Sequence, residues 1–184
     1  AAVLNVDNPQ YARLAAAAKA AGVSRIVSFG EHAQADARLI DVALHPACSA
    51  VHARILGQEV TYKLGMPGRH MAMNSLAVLA AASLAGADLA CSALALSQMQ
   101  APAGRGVRET LRVVGGEALM IDESYNANPA SMRAAIAVLD ATPVGEGGRR
   151  IAVLGDMLEL GAHAEKLHSA LGAALAATRT DMVL

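Results

Sequence analysis

The sequence predicts an α/β fold in which a parallel sheet carries a small antiparallel edge, followed by a second α/β unit. Residues 1–30 read as strand, helix and strand, an order that is typical of parallel strands joined by a crossover. Between residues 39 and 64, apolar and polar residues alternate, as in half-buried antiparallel strands. Another series of apolar runs and helical segments starts after residue 104.

In the first part of the chain, turn and cap residues delimit the elements. Gly22 suits the end of a helix, and Leu56-Gly57-Gln58 suits a hairpin turn. The predicted strands are 1–5, 25–30, 39–44, 50–55 and 59–64, and the predicted helices are 11–21, 75–87 and 89–96, with a loop at 65–70.

Pro and Gly residues at 100–104 predict a domain boundary, which divides the chain into residues 1–100 and 101–184. In the second part, Asn128 and Pro129 are suited to the cap and first position of a helix. The predicted strands are 112–114, 117–121, 150–154 (buried) and 181–184, and the predicted helices are 129–139 and 162–177. Because strands stand at both ends without further elements, we expect the sequence to be part of a longer protein.

Composition excludes several classes of function. The 184 residues are 54% hydrophobic and only 2% aromatic, and the net charge is -1, which argues against a nucleic-acid-binding protein. The apolar stretch 75–96 is rich in Ala and contains Asp88, so it does not predict a membrane span. Cys48 and Cys91 lie far apart, and we expect two buried, reduced thiols and a cytoplasmic protein without a signal peptide.

The densest polar cluster is Asp122–Pro129, between a predicted strand and a predicted helix. Ligands of open α/β folds bind at the carboxyl ends of strands, where a carboxylate can contact ribose or Mg²⁺. The same residues can also form an Asx turn that only caps the helix. Residue types alone leave both interpretations open.

Other candidates are open in the same way. Arg105, between Gly104 and Gly106, is suited either to a phosphate contact or to the solvated surface. His70 and Asn74 share one helix face and could meet a purine edge or only begin the helix.

The segment Gly155–Gly161, GDMLELG, could bind an anion or be an ordinary loop. His163 and His168, in the helix that follows, are expected to be solvated. No G-x-x-x-x-G-K-[ST] phosphate-binding loop and no Ser-His-Asp arrangement is present.

Taken in order, four segments resemble the later part of the Mur ligase family: Gly68-Arg69-His70 with Asn74, Gly104-Arg105, SYNANP at 124–129 and GDMLELG at 155–161. The resemblance covers nearly the whole chain and implies two incomplete domains. Residues 1–100 would be the second half of the central ATPase domain, with its parallel sheet. Residues 101–184 would be most of a Rossmann-like C-terminal domain. The UDP-binding domain, the phosphate-binding loop and the Mg²⁺ ligands are expected outside the sequence.

The resemblance implies an ADP-forming ligase of cell-wall synthesis. ATP would activate UDP-N-acetylmuramoyl-tripeptide as an acyl phosphate, and D-alanyl-D-alanine would be added, with Mg²⁺ as cofactor. The enzyme would be a monomer without nucleic-acid or membrane partners. The implied ATP-binding residues are Asn74, Arg105, Glu123, Tyr125 and Asn126, and the implied substrate-binding residues are Asn126, Asn128 and Asp156. Met71 and Glu123 stand where the family commonly has Asn and Asp. The alternatives are another Mur-type or folylpolyglutamate-type ligase, or a non-catalytic nucleotide-binding module.

Overall fold

A computed structural model describes residues 1–184 as two compact units, Ala1–Met99 and Gln100–Leu184. The first unit is a five-stranded sheet of order β1-β2-β3-β4-β5 with three helices. Its strands are β1 (Ala2–Asn5), β2 (Ile26–Gly30), β3 (Ala37–Leu44), β4 (Ser49–Ile55) and β5 (Gln58–Leu64), and its helices are α1 (Tyr11–Ala20), α2 (Arg69–Leu84) and α3 (Leu89–Ser97).

The sheet changes direction at β3. Strands β1, β2 and β3 are parallel neighbours, whereas β3, β4 and β5 form an antiparallel meander. Alternate residues of β4 are buried, which explains the alternating sequence pattern, since one face of the strand lies on the core. The predicted parallel sheet with an antiparallel edge is confirmed.

Helix α2 closes the core of the first unit over β1 to β4. Its fully buried side chains include Ala72, Leu76 and Leu79, and Val27 of β2 is buried in the same unit. The small Ala side chain permits close approach of helix and sheet. Helix α2 begins at Arg69, directly after Gly68 with its positive φ of 111°, so His70 and Asn74 lie at the start of a helix, as predicted, and the apolar helical stretch predicted from Ser75 continues it.

Gly65 joins the end of β5 to the end of α3. Its N–H donates to Leu96 O at 3.0 Å, and a Cβ at this position would lie 2.2 Å from Met99 O. Only glycine fits this contact, because backbone rather than a flexible side chain occupies the space.

The second unit contains a hairpin, a short parallel pair and two helices. Its strands are β6 (Val107–Val113), β7 (Gly116–Asp122), β8 (Ile151–Ala152) and β9 (Met182–Val183), and its helices are α4 (Pro129–Ala141) and α5 (Ala164–Ala176). Strands β6 and β7 are antiparallel and β8 and β9 are parallel. Asn128 caps α4 in a capping box with Ser131, and Pro129 occupies the first turn, as predicted.

Several predictions for the second unit were wrong in extent. Strand β6 begins at Val107 rather than Arg112, because the hairpin register continues from Val113 back to Val107. Strand β8 is not buried on both faces. Ala152 is buried, but Ile151 is 41% exposed, and Val153, directly after the strand, is 76% exposed.

The two cysteines are free thiols, but they are less buried than predicted. Cys48 is half-buried and Cys91 is exposed. Cys91 lies in the first turn of α3, where its N–H donates to the capping carboxylate of Asp88, and the turn faces solvent.

None of the helices combines the length and the apolar character that a membrane-spanning helix requires.

A buried hydrogen-bond chain ties β5 to α2 and yields a stability prediction. Ser75 Oγ donates to Ala72 O at 2.7 Å, so the Tyr62 hydroxyl is the donor in its 2.5 Å contact with Ser75 Oγ. Burial raises the pKa of Tyr62 to about 12. Tyr62→Phe should lower the free energy of unfolding by about 1–2 kcal/mol, because a buried oxygen loses its donor. Urea unfolding measures this loss.

The matched control is Tyr11→Phe, at a half-buried position on α1. It should leave the free energy of unfolding within about 0.5 kcal/mol of the wild type. Equal losses in the two variants would contradict the role assigned to the Tyr62 hydroxyl.

Candidate functional site

Three of the residues predicted to bind ATP lie together in the second unit. Arg105 precedes β6, whereas Glu123 and Tyr125 follow the carboxyl end of β7. Because β6 and β7 are paired, with Val107 opposite Asp122, the two segments meet at one end of the hairpin. We refer to Arg105, Glu123 and Tyr125 as the Arg105 cluster.

The backbone on either side of Arg105 is held against the end of β7. Tyr125 N–H donates to Gly104 O at 3.0 Å, and Gly106 N–H donates to Asp122 O at 2.8 Å. Gly104 has a φ of 70°, and a Cβ there would lie 2.8 Å from Tyr125 N. Both the left-handed conformation and the close approach require glycine. The two hydrogen bonds therefore fix the backbone position from which the Arg105 side chain extends.

The Arg105 guanidinium lies over the Tyr125 ring, 4.1 Å from the ring centroid. A guanidinium above an aromatic face is attracted by the ring quadrupole, with about 0.5–1 kcal/mol at an exposed site. Both side chains are exposed, and Tyr125 is 66% exposed. The guanidinium thus has a preferred position and keeps N–H donors that can meet a phosphate.

The two carboxylates at the end of β7 differ in their electrostatics. Burial, followed by the neighbouring charge of Asp122, raises the pKa of Glu123, and Arg105 only partly opposes this. The pKa of Asp122 is lowered, because the side chain and backbone N–H of Ser124 donate to its carboxylate. Glu123 is therefore the half-buried acceptor of the pair, with no strong donor of its own.

The loop after β7 also caps α4, which is the alternative role that the residue types left open. Asn128 Oδ1 accepts the N–H groups of Ala130 and Ser131, both at 3.0 Å. Asn126 Oδ1 accepts the N–H of Ala127 at 2.8 Å. The amide oxygens of both Asn side chains are occupied, and their amide N–H groups are the donors that remain for a ligand.

Asn74 lies in the first unit, exposed on α2. The start of this helix is held by Arg69, whose guanidinium makes a two-point ion pair with Glu31 at 2.9 and 2.8 Å. Glu31 N–H in turn donates to Asp7 Oδ2 at 2.7 Å. His70 is half-buried, and burial lowers its pKa. Arg69 belongs to a segment that carries the family resemblance, but its partners Asp7 and Glu31 were not singled out from the sequence, because isolated charged residues in separate segments carry no spacing signal.

Asp156 follows β8 in a loop without regular structure, and its side chain is 89% exposed. The prediction that His168 is solvated was wrong. Its side chain is 33% exposed, and Nε2 accepts the N–H of Met157 at 2.9 Å. The helix face that carries His168 turns towards the loop, which the sequence pattern alone did not reveal. His163 is exposed, as predicted.

No group of three or more His, Cys, Asp or Glu side chains in the chain could hold a metal ion. The residues present therefore do not by themselves form a Mg²⁺ site.

Comparison with known families gives two matches. Residues 1–82 match the Mur ligase middle domain, and residues 109–184 match the Mur ligase glutamate ligase domain. Each match falls within one of the two compact units.

Similar proteins include two kinds of Mur ligase. The UDP-N-acetylmuramoyl-tripeptide–D-alanyl-D-alanine ligase of Bacillus subtilis is 33% identical over 157 residues, 85% of this chain and 33% of that protein. The UDP-N-acetylmuramate–L-alanine ligase of Streptomyces avermitilis is 33% identical over 183 residues, 99% of this chain and 37% of that protein.

Among solved structures, a crystal structure of MurF from Acinetobacter baumannii superposes with a TM-score of 0.83 at 29% identity. The superposition covers 98% of this chain and 37% of the MurF chain, so this sequence spans about a third of the length of these relatives. With both units matched in the order that the family has them, the chain belongs to the Mur ligase family.

Proposed function

We propose that this chain is part of a MurF-type enzyme, an ATP-dependent ligase that adds D-alanyl-D-alanine to UDP-N-acetylmuramoyl-tripeptide in peptidoglycan precursor synthesis. Residues 1–100 would belong to its central ATPase domain and residues 101–184 to its C-terminal domain. The observation that carries the proposal is the Arg105 cluster at the end of β7, to which the Gly104–Gly106 segment, Glu123 and the adjacent SYNANP segment contribute. The likeness to MurF from Acinetobacter baumannii supports it.

The proposed reaction has two steps. The terminal carboxylate of the tripeptide attacks the γ-phosphorus of ATP, which forms an acyl phosphate and releases ADP. The amine of D-alanyl-D-alanine then attacks the acyl carbon, the C–O bond to phosphate breaks, and the amine loses a proton as the amide forms. Such chemistry depends on positioning and charge neutralisation and needs no enzyme nucleophile.

The residues of this chain would bind and orient the nucleotide and the dipeptide. The Arg105 guanidinium would neutralise phosphate charge from its position over Tyr125. The Glu123 carboxylate, which lacks a strong donor, would accept ribose hydroxyls. Asn126 and Asn128 would donate through their free amide N–H groups, and Asp156 would meet the dipeptide. In the first unit, the exposed amide of Asn74 would contact adenine.

We further propose that the enzyme works in the cytoplasm as a monomer, that its activity supports cell shape and division, and that Mg²⁺ accompanies ATP. The Mg²⁺ ligands would come from residues outside this sequence, since no group of three or more His, Cys, Asp or Glu side chains in this chain could hold a metal ion.

A second candidate is addition of L-alanine to UDP-N-acetylmuramate, because a relative with that activity is 33% identical over 99% of the chain. The first proposal is favoured by the resemblance of the SYNANP and GDMLELG segments to MurF and by the likeness to the MurF structure from Acinetobacter baumannii. A substrate panel with the full-length enzyme separates the two. We expect ADP release only with the tripeptide precursor and D-alanyl-D-alanine. Release with UDP-N-acetylmuramate and L-alanine alone would overturn the MurF assignment.

Arg105→Ala in the full-length enzyme should lower kcat by about 10²–10³-fold, the scale expected for one preorganised electrostatic contact. Steady-state ADP release at saturating ATP measures the effect. Arg112→Ala, which removes an exposed arginine of β6, is the matched control and should keep the wild-type kcat. An unchanged kcat in Arg105→Ala would remove Arg105 from the site.

The 184-residue chain by itself should release no ADP in the presence of D-alanyl-D-alanine, because its sequence contains no phosphate-binding G-x-x-x-x-G-K-[ST] loop. A coupled assay of the purified chain tests this expectation. ADP release that depends on D-alanyl-D-alanine would show that the chain has another means of gripping the triphosphate.

Glu123→Gln should stabilise the fold while it weakens ATP binding. Burial raises the pKa of Glu123, so the folded state holds the carboxyl proton more tightly than the unfolded chain does. The folded state therefore loses stability as the pH rises from the pKa of the unfolded chain through the higher pKa of the folded state. Gln cannot ionise. The gain in Tm over the wild type should therefore be larger at pH 7 than at pH 4, and KM for ATP should rise.

Glu109→Gln, at an exposed position of β6, is the control for the loss of one negative charge. It should change neither the Tm difference between the two pH values nor KM for ATP. A Tm gain in Glu123→Gln that is the same at pH 4 and pH 7 would contradict the raised pKa of the half-buried Glu123 carboxylate.

A further inference from the structure

The loop Gly155–Leu160 depends on one side chain from another element. Met157 is the only residue of this loop whose N–H donates to a protein group, and its acceptor is His168 Nε2 at 2.9 Å. The Met157 side chain is buried, with 2% exposure, whereas its neighbour Asp156 is exposed. One buried side chain and one hydrogen bond therefore anchor a loop that otherwise faces solvent.

The hydrogen bonds of His168 define its tautomer. Nδ1 lies 2.8 Å from Ala164 O, a carbonyl of the same helix that can only accept. Nδ1 must therefore carry the proton, and Nε2 presents its lone pair to the N–H of Met157. In this neutral form Nε2 has no proton to donate to Asp156 Oδ1, which lies 3.8 Å away. The carboxylate of Asp156 thus stays free although the imidazole is near.

The backbone conformation supports the idea that the loop is held in place. Glu159 has a φ of 62°, in the left-handed region that residues other than glycine rarely adopt. Such conformations persist where surrounding contacts enforce them, and they are concentrated at ligand sites. The anchor at Met157 and the turn at Glu159 together define the path of the loop after β8.

We propose that His168 is a positioning residue for the ligase reaction. Its neutral imidazole holds the peptide group between Asp156 and Met157, and so keeps the Asp156 carboxylate aimed at the ammonium group of the incoming D-alanyl-D-alanine. The inference rests on the proposed function, and it adds to it the residue that orients the dipeptide-binding loop. A carboxylate is the complement of the dipeptide's charged amino group, and its unpaired state leaves it available.

The test compares His168→Leu, His168→Gln and a control, His163→Leu, in the full-length enzyme. Leu removes the acceptor, whereas the Gln side-chain oxygen can reach the place of Nε2 and accept the same N–H. His163 lies in the exposed turn Gly161–His163 that precedes α5, outside the hydrogen bond to Met157.

Two readouts are combined. Hydrogen exchange resolved at the Met157 amide should become about tenfold faster in His168→Leu and stay near wild type in His168→Gln and His163→Leu. Steady-state kinetics should show KM for D-alanyl-D-alanine raised about 10–100-fold in His168→Leu, with KM for ATP unchanged and with rescue by Gln. A structural defect alone would move both KM values or lower the fraction of active enzyme.

If the Met157 amide in His168→Leu exchanged at the wild-type rate, the hydrogen bond to His168 would not be what anchors the loop. Faster exchange with unchanged KM for D-alanyl-D-alanine would overturn the positioning role. If the wild-type enzyme released no ADP with D-alanyl-D-alanine, the proposed function would fail together with the role assigned to Asp156, and the exchange data would still decide whether His168 anchors the loop.

Discussion

The close approach of the Gly104 backbone to Tyr125 is the constraint on which the candidate site depends. Two backbone hydrogen bonds, Tyr125 N–H to Gly104 O and Gly106 N–H to Asp122 O, bring the segment before β6 against the end of β7. Only a residue without a Cβ fits at Gly104. The side chain between the two glycines lies over the Tyr125 ring. A positive charge, a half-buried carboxylate and an aromatic face are thus assembled by backbone geometry rather than by a packed core.

Short polar contacts also fix the backbone of the other loops that carry candidate residues. Asn128 secures the start of α4 and, with its amide oxygen committed to that cap, offers only N–H donors to a ligand. His168 secures the loop after β8 through one backbone N–H and leaves Asp156 without a partner. In each case a short polar contact fixes the backbone, and the adjacent polar group remains available. This arrangement suits phosphoryl and acyl transfer, in which the protein mainly positions and neutralises reacting groups.

Much of the fold was predictable from local pattern. Alternation in β4, the glycine-bounded turns and the Asn128-Pro129 cap each depend on residues next to one another in the chain. Contacts across the sequence were not predictable. The stacking of Arg105 on Tyr125 joins the segment before β6 to the loop after β7, and the bond from His168 to Met157 depends on which face of α5 turns inward. The exposed side of β8 was missed because an apolar run of that length is equally compatible with one or two covered faces.

The central claim is that the Arg105 cluster faces the nucleotide in a MurF-type ligase. A crystal structure of the full-length enzyme with ADP and D-alanyl-D-alanine tests it most directly. The account predicts a guanidinium nitrogen of Arg105 within about 3.2 Å of a phosphate oxygen and a Glu123 oxygen within the same distance of a ribose hydroxyl. ADP bound with both side chains turned to bulk solvent, and with no contact to residues 104–126, would contradict it.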